Sequence, residues 1–255
     1  MPGWTWARRL ASLVSFLTIL PTPSRDLALA SATLWASPLV GLLVAVISWA
    51  SLCIAGLVDA WLGAFTFTSL AYLLSGLLHL DGFIDFADVL STGARGEEAY
   101  RILKDPHKGG KGIAYTIILV VSAYMVYTRL AELSPPAAAS AIIAAYEALY
   151  LTGVMGDPPP YQGLGRLFIL NSRGSLALNL VAYVLTQSIL VIISGVDVII
   201  PILGSTISVL ASSAYTVSRA RRSLGWVNGD VLGFSLELSR CLAGYTALFL
   251  VLVFG

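Results

Sequence analysis

An all-α fold is expected from the sequence: a polytopic transmembrane helix bundle of about seven spans, plus an N-terminal helix that is interfacial or partly inserted. Three observations carry that reading. Of 255 residues, 57% are hydrophobic and only 11% charged, against about 25% charged in a soluble domain. The mean hydropathy of +0.84 leaves too much apolar surface for disorder. The apolar stretches also run for about 20 residues, the length that crosses a bilayer as a helix. They do not alternate with the period of two that barrel strands require, and only helices satisfy their own backbone groups in lipid.

The elements follow in order. Trp4 to Leu20 pairs Arg8 and Arg9 with an apolar run that resembles a signal peptide. It lacks an A-x-A cleavage site and runs into Pro21-Thr22-Pro23, so it reads as a retained helix at or partly in the membrane. Seven spans come next: Trp35 to Leu57, Trp61 to Leu78, Gly112 to Leu130, Pro136 to Met155, Leu176 to Gly195, Val198 to Val217 and Phe234 to Phe254. Glu97 to Lys104 is expected to form a short helix ended by Pro106, because proline disfavours helical geometry at the residue before it. No repeat or linker divides the chain, so 1–255 reads as a single integral membrane domain with 79–111 as its active-site segment.

Charge sets orientation. Of the 15 basic residues, all but Arg129 and Arg240 fall on one side of the seven-span arrangement, and that side is expected to be the cytoplasm. The expected location is the cell membrane, with the lipid bilayer as partner. A net charge of +1 argues against nucleic acid as a partner, since phosphate neutralisation needs a basic face. Cys53 and Cys241 sit in apolar runs without a C-x-x-C, which argues against a disulfide framework or a zinc site. Oligomeric state is not legible.

The polar stretch from His79 to Lys111 holds six of the 14 acidic residues, Asp81, Asp85, Asp88, Glu97, Glu98 and Asp105. At about 100° per residue, Asp81, Asp85 and Asp88 share one helical stripe at the end of the second span. Like charges so spaced destabilise a helix, and a divalent cation with oxygen ligands would compensate, Mg²⁺ being the natural candidate. The alternative is a hydrated acidic helix end. Downstream, Arg101-Ile102-Leu103-Lys104-Asp105-Pro106-His107-Lys108-Gly109-Gly110-Lys111-Gly112 leads into the third span. Its glycines permit a loop whose N–H groups face an anion, at a helix N-terminus and among Lys104, His107, Lys108 and Lys111. That reads as a pyrophosphate cradle; the alternative is lysines anchored to lipid headgroups. His107 is a candidate proton donor to a leaving phosphate, and His79 an interfacial hydrogen-bonding residue or a ligand. Glu147, Asp230, and Glu237 with Arg240 at i, i+3 are expensive in a span; for each, helix pairing and a substrate role stand equally open.

On these residues the sequence resembles the cobalamin-5'-phosphate synthase (adenosylcobinamide-GDP ribazoletransferase) family. The H-x-D-G-x-x-D-x-x-D pattern is present as His79, Asp81, Gly82, Asp85 and Asp88, and K-D-x-x-x-G-x-x-G as Lys104, Asp105, Gly109 and Gly112. Weaker matches are Phe16 to Pro23, Gly163-Leu164-Gly165, and Gly229-Asp230 with Leu232, Gly233 and Glu237. The chain departs from the family at Leu80, at Ile19 and at Tyr146-Glu147. The resemblance implies Mg²⁺-dependent transfer from adenosylcobinamide-GDP to α-ribazole or its 5'-phosphate, with GMP leaving. In that scheme Asp81, Asp85 and Asp88, with Asp105, hold metal; Lys104, Lys108 and Lys111 hold the leaving phosphate; Asp88 accepts the hydroxyl proton. His79, Arg101, Gly109, Asp230 and Glu237 join the substrate-binding set. CDP-alcohol phosphotransferases need an A-R after the D-G, where Phe83-Ile84 stands; prenyltransferases of the UbiA type need a second aspartate-rich motif; transporters usually show repeats.

Overall fold

The computed structural model describes residues 3–254; residues 1, 2 and 255 of the expected single domain lie outside the described residues. Those described form twelve α-helices and no strand. Six are long and apolar enough to cross a membrane, or seven spans if one bent pair counts as a single crossing. The spanning helices are α3 (Ser37–Gly56), α7 (Gly110–Leu133), α8 (Pro135–Met155), α10 (Leu176–Ser194), α11 (Ile199–Ser223) and α12 (Gly229–Phe254). The bent pair is α4 (Ala60–Leu73) and α5 (Leu78–Thr92), set at 73°. Four short helices complete the chain: α1 (Gly3–Leu17), α2 (Leu27–Ser31), α6 (Gly96–Leu103) and α9 (Leu164–Ser172). The expected chain order is borne out.

The bundle is built around α8, which packs against α3, α11 and α12 and is buried along nearly its whole length. Its run of alanines explains this: without a hydrophobic drive between helices in lipid, small side chains are what let backbones approach. Around it the outward faces of α7, α10 and α11 stay apolar, with Ile118, Val184 and Ile207 exposed, as lipid-facing surfaces should be.

The second span is corrected by the structure. Instead of running to Leu78 and on into the acidic stripe, the helix stops at Leu73 and restarts at Leu78 on a new axis. Gly76 (φ +63°) and Leu77 (φ +58°) are both left-handed, a conformation no helix continues through. Ser75 donates its hydroxyl to the Tyr72 carbonyl at 2.7 Å, and the Ile19 N–H donates to the freed Leu74 carbonyl at 2.8 Å. The segment after α1 thus completes the break. Helix α1 has 15 residues, about 22 Å long, which is short of a hydrocarbon core of about 30 Å; it lies against the bundle through buried Leu13 and Leu17.

Candidate active site

The acidic helix α5 and the start of α12 cross in backbone contact, and that crossing builds the site. A Cβ on Gly82 would stand 2.8 Å from the Asp230 carbonyl oxygen, and one on Gly233 would stand 2.9 Å from that of His79. With glycine on both sides, Asp81 and Asp85 from α5 come beside Asp230 from α12. Phe83 stacks on Phe234 at 4.7 Å and Phe86 meets the same ring edge-on at 5.0 Å, locking the pair below the carboxylates.

Two lysines reach into this group from the segment between α6 and α7. Lys108 Nζ lies 2.9 Å from Asp81 Oδ1 and also bonds Asp85 Oδ1. Lys104 Nζ lies 3.0 Å from Asp230 Oδ2, which also accepts from Asn228 Nδ2 at 2.8 Å. Burial pulls both ammonium groups toward lower pKa, and the carboxylate contacts outweigh it, so both stay above the ordinary lysine range.

Asp88 is placed otherwise than expected, and the glycine loop with it. Gly109 and Gly112 donate their N–H groups to Asp88 Oδ2 and Oδ1, at 2.6 and 2.7 Å. The anion seated at the N-terminus of α7 is this carboxylate. Both glycines are required, since a Cβ at Gly109 would fall 2.5 Å from Asp88 Oδ1 and one at Gly112 2.6 Å from its Cγ. Sharing a stripe is not convergence: seven residues of helix separate Asp88 from Asp81 by about 10 Å along the axis. In this geometry both Asp88 oxygens, and the N–H groups of Gly109 and Gly112, are engaged with each other.

Other expected site residues scatter. Asp105 accepts from the His107 N–H at 2.8 Å and contacts its ring nitrogen at 3.0 Å; those bonds hold its carboxyl below the usual range. Both side chains are exposed, and neither reaches the aspartates of α5 in any described contact. Arg101 pairs outward with Glu97 at 2.7 Å, away from the site. Lys111 is exposed in the first turn of α7. His79 is buried within the bundle, its ring edge-on to Tyr146 at 6.4 Å. For Glu237 the helix-pairing reading holds. The side chain is fully buried, its carboxylate 3.2 Å from Arg240, whose guanidinium lies 4.5 Å over the Tyr72 ring. Glu147 likewise accepts from Asn179 at 2.8 Å inside the bundle.

Beside the carboxylates opens a cavity of about 220 Å³ with an apolar wall that includes Phe16, Leu34, Leu149 and Phe168, and with Asp81 and Asp230 among its lining residues. On the other side of Lys104, Tyr100, Tyr161 and Trp226 form an aromatic cluster with centroids 5.3 to 5.8 Å apart. Sequence reasoning missed these aromatics, which lie on three separate segments and carry no local pattern. Asn228 was missed as well, though a local signal existed: it accepts the Val231 N–H at 3.1 Å, the N-cap pattern of Asn before a helix.

Mg²⁺ suits part of the expected ligand set. Asp81 and Asp85 each turn an oxygen onto one positive charge, the Lys108 ammonium standing in for a cation. Mg²⁺ commonly takes only one or two carboxylates and completes its shell with water and substrate phosphates. Among the described residues no three His, Cys, Asp or Glu side chains surround one point, so a third protein ligand is not part of this geometry.

Fold and site together define a polytopic helical membrane protein that gathers carboxylates and lysines at one end of its bundle. The chain belongs to the cobalamin-5-phosphate synthase family, which it matches over residues 9–249. It is 29% identical to an adenosylcobinamide-GDP ribazoletransferase of Prosthecochloris aestuarii, covering 95% of this chain and 98% of that one. It is 34% identical to one of Pyrobaculum calidifontis, covering 91% and 94%. No solved structure matches.

Proposed function

We propose that the chain catalyses the last joining step of cobalamin assembly, in which adenosylcobinamide-GDP and α-ribazole, or α-ribazole 5'-phosphate, give adenosylcobalamin or its 5'-phosphate and GMP. A ribose hydroxyl oxygen of the acceptor bonds to the phosphorus carrying cobinamide. The bond from that phosphorus to the bridging oxygen breaks, and the oxygen leaves with GMP. Family membership supports the reaction, and the convergence of Asp81 and Asp85 on one positive charge is the observation that carries the site assignment.

In this reading Asp81 and Asp85 hold Mg²⁺, which neutralises charge on the pyrophosphate when bound. Lys108 and Lys104, with Lys111 nearby, grip the phosphate of the departing GMP. Asp230, contacted by Lys104 and not by Lys108, takes the hydroxyl proton. The apolar cavity beside Asp81 and Asp230 receives the aromatic base of the acceptor. The basic segments gather at the end of the bundle that carries the site; Arg221 and Arg173 both reach Asp157 there. By the excess of positive charge that end faces the cytoplasm, and the protein resides in the cell membrane.

The test is GMP release from both substrates by membranes carrying the chain, with and without Mg²⁺. Release is expected only with Mg²⁺, and Asp85→Asn is expected to abolish it while the protein still inserts. Full turnover by Asp85→Asn, or turnover indifferent to chelation, overturns the assignment.

A further inference from the structure

We propose that the groove between α5, α7, α11 and α12 holds one anionic phospholipid, with an apolar chain along the groove and the phosphate on Arg95, Arg219 and Arg222. The groove has a volume of about 480 Å³ and is lined by Phe83, Leu90, Ile118, Leu119, Tyr215 and Phe234, with Arg219 also on its wall. A smaller cavity of about 120 Å³ adjoins it, lined by Leu90, Arg95, Arg219 and Arg222. Leu90 and Arg219 belong to both, so apolar groove and basic pocket form one continuous surface.

Charge complementarity identifies the occupant. Among the described residues none of these three arginines has a carboxylate partner, whereas their neighbour Arg221 pairs with Asp157 at 2.8 Å. The Arg219 Nε is buried without a hydrogen-bond acceptor, and a buried guanidinium donor calls for one. A phosphate oxygen meets that need in the planar fork geometry arginine favours. Basic pockets between helices at the cytoplasmic end of a bundle are where anionic headgroups bind. The remaining walls are hydrocarbon, and Ile118 (63% exposed) and Tyr215 (51%) lie on spanning helices, which suits a lipid chain and not a ribose. Phe83, Ala87 and Leu90 occupy the stripe of α5 opposite Asp81 and Asp85. The lipid therefore backs the acidic helix without entering its site.

The experiment places the full-length protein in nanodiscs of equal phosphatidylglycerol and phosphatidylcholine, extracts it in mild detergent, and counts retained lipids by native mass spectrometry. One phosphatidylglycerol per chain is expected to remain. Arg219→Gln/Arg222→Gln is expected to lower its retention by about 10- to 30-fold, as loss of two cations at a headgroup would, and Arg219→Lys by less. Leu119→Trp, which fills the groove, should expel the lipid with all three arginines intact. Equal retention of both lipids by the unaltered protein overturns the proposal and needs no variant. So does displacement by GMP, which would make the pocket a nucleotide site. Neither result bears on whether GMP is released from adenosylcobinamide-GDP.

Discussion

Gly82 and Gly233 face each other across the crossing of α5 and α12. A Cβ on Gly233 would lie 3.4 Å from Gly82 Cα, while one on Gly82 would lie 3.0 Å from Asp230 Cα. No side chain separates the helices at this point, and the carboxylates of two distant segments therefore meet in one site.

Gly82→Ala is expected to lower both stability and turnover. The added methyl presses on the Asp230 backbone, which cannot yield as a flexible side chain would, at a cost of about 1–3 kcal/mol. That outweighs the gain of about 1 kcal/mol from replacing glycine in a helix. Gly110→Ala, where a Cβ meets nothing within 4 Å, should leave stability equal or higher. Thermal unfolding in detergent of the two variants checks the contrast.

Asp88→Ala should loosen the entry to α7 without abolishing metal binding. It strands two N–H groups, and hydrogen bonds to a charged group are worth about 1.5–3 kcal/mol each. Amide exchange at Gly109 and Gly112 is expected to rise by an order of magnitude or more. Asp88→Asn, keeping one oxygen acceptor, should show a smaller rise.

Lys108→Met is expected to tighten Mg²⁺ binding and weaken use of the GDP-bearing substrate together. The ammonium competes with a cation for Asp81 and Asp85, and removing a unit charge at contact distance is worth about tenfold or more in affinity. Mg²⁺ titration of the variant, set beside its KM for adenosylcobinamide-GDP, separates the two effects. A lysine serving only to anchor lipid would change neither.

The Lys104–Asp230 contact ties α6 to α12 and has a definite pH dependence. Burial lowers the lysine's pKa and Asp230 raises it further, leaving it above 10.5 when folded. The stabilisation is therefore complete below pH 10.5 and is lost as pH rises through the folded value. Amide exchange in α6, corrected for its intrinsic pH dependence, is expected to stay flat across neutral pH and climb only above that point. In Lys104→Met the climb should vanish. The pair is half exposed, so the effect on global stability is small.

Glu237→Gln should be among the most destabilising substitutions in the chain. It leaves the Arg240 guanidinium, 1% exposed, without its counter-charge, at a cost of about 3–5 kcal/mol. Replacing both, Glu237→Gln with Arg240→Met, should restore much of the loss, read as the midpoint of thermal unfolding.

Most of the architecture was legible along the chain because its cause is local. An apolar run of about 20 residues must be a helix in lipid whatever its neighbours do. Helices α3, α7, α8 and α10 accordingly lie close to the expected boundaries. The failures have local causes too. Gly76-Leu77 is an inconspicuous break within apolar sequence, and its left-handed backbone turned one expected span into two helices. Gly229-Asp230 lay outside the expected seventh span, Phe234 to Phe254, because the first turn of α12 carries a polar, capped end.

The acidic motif was equally plain, but its meaning lay in distances the linear order does not carry. Asp81, Asp85 and Asp88 are equivalent on a helical wheel. Once folded, two of them share a lysine and the third caps α7. Glu237 and Asp230 belong to one motif and one helix, yet the first is sealed against Arg240 and the second opens to the cavity. Composition and periodicity fix what each segment must do with its own backbone and its apolar face. Which polar groups share a site depends on where helices cross, and that is set by side-chain volume at contacts far apart in the chain.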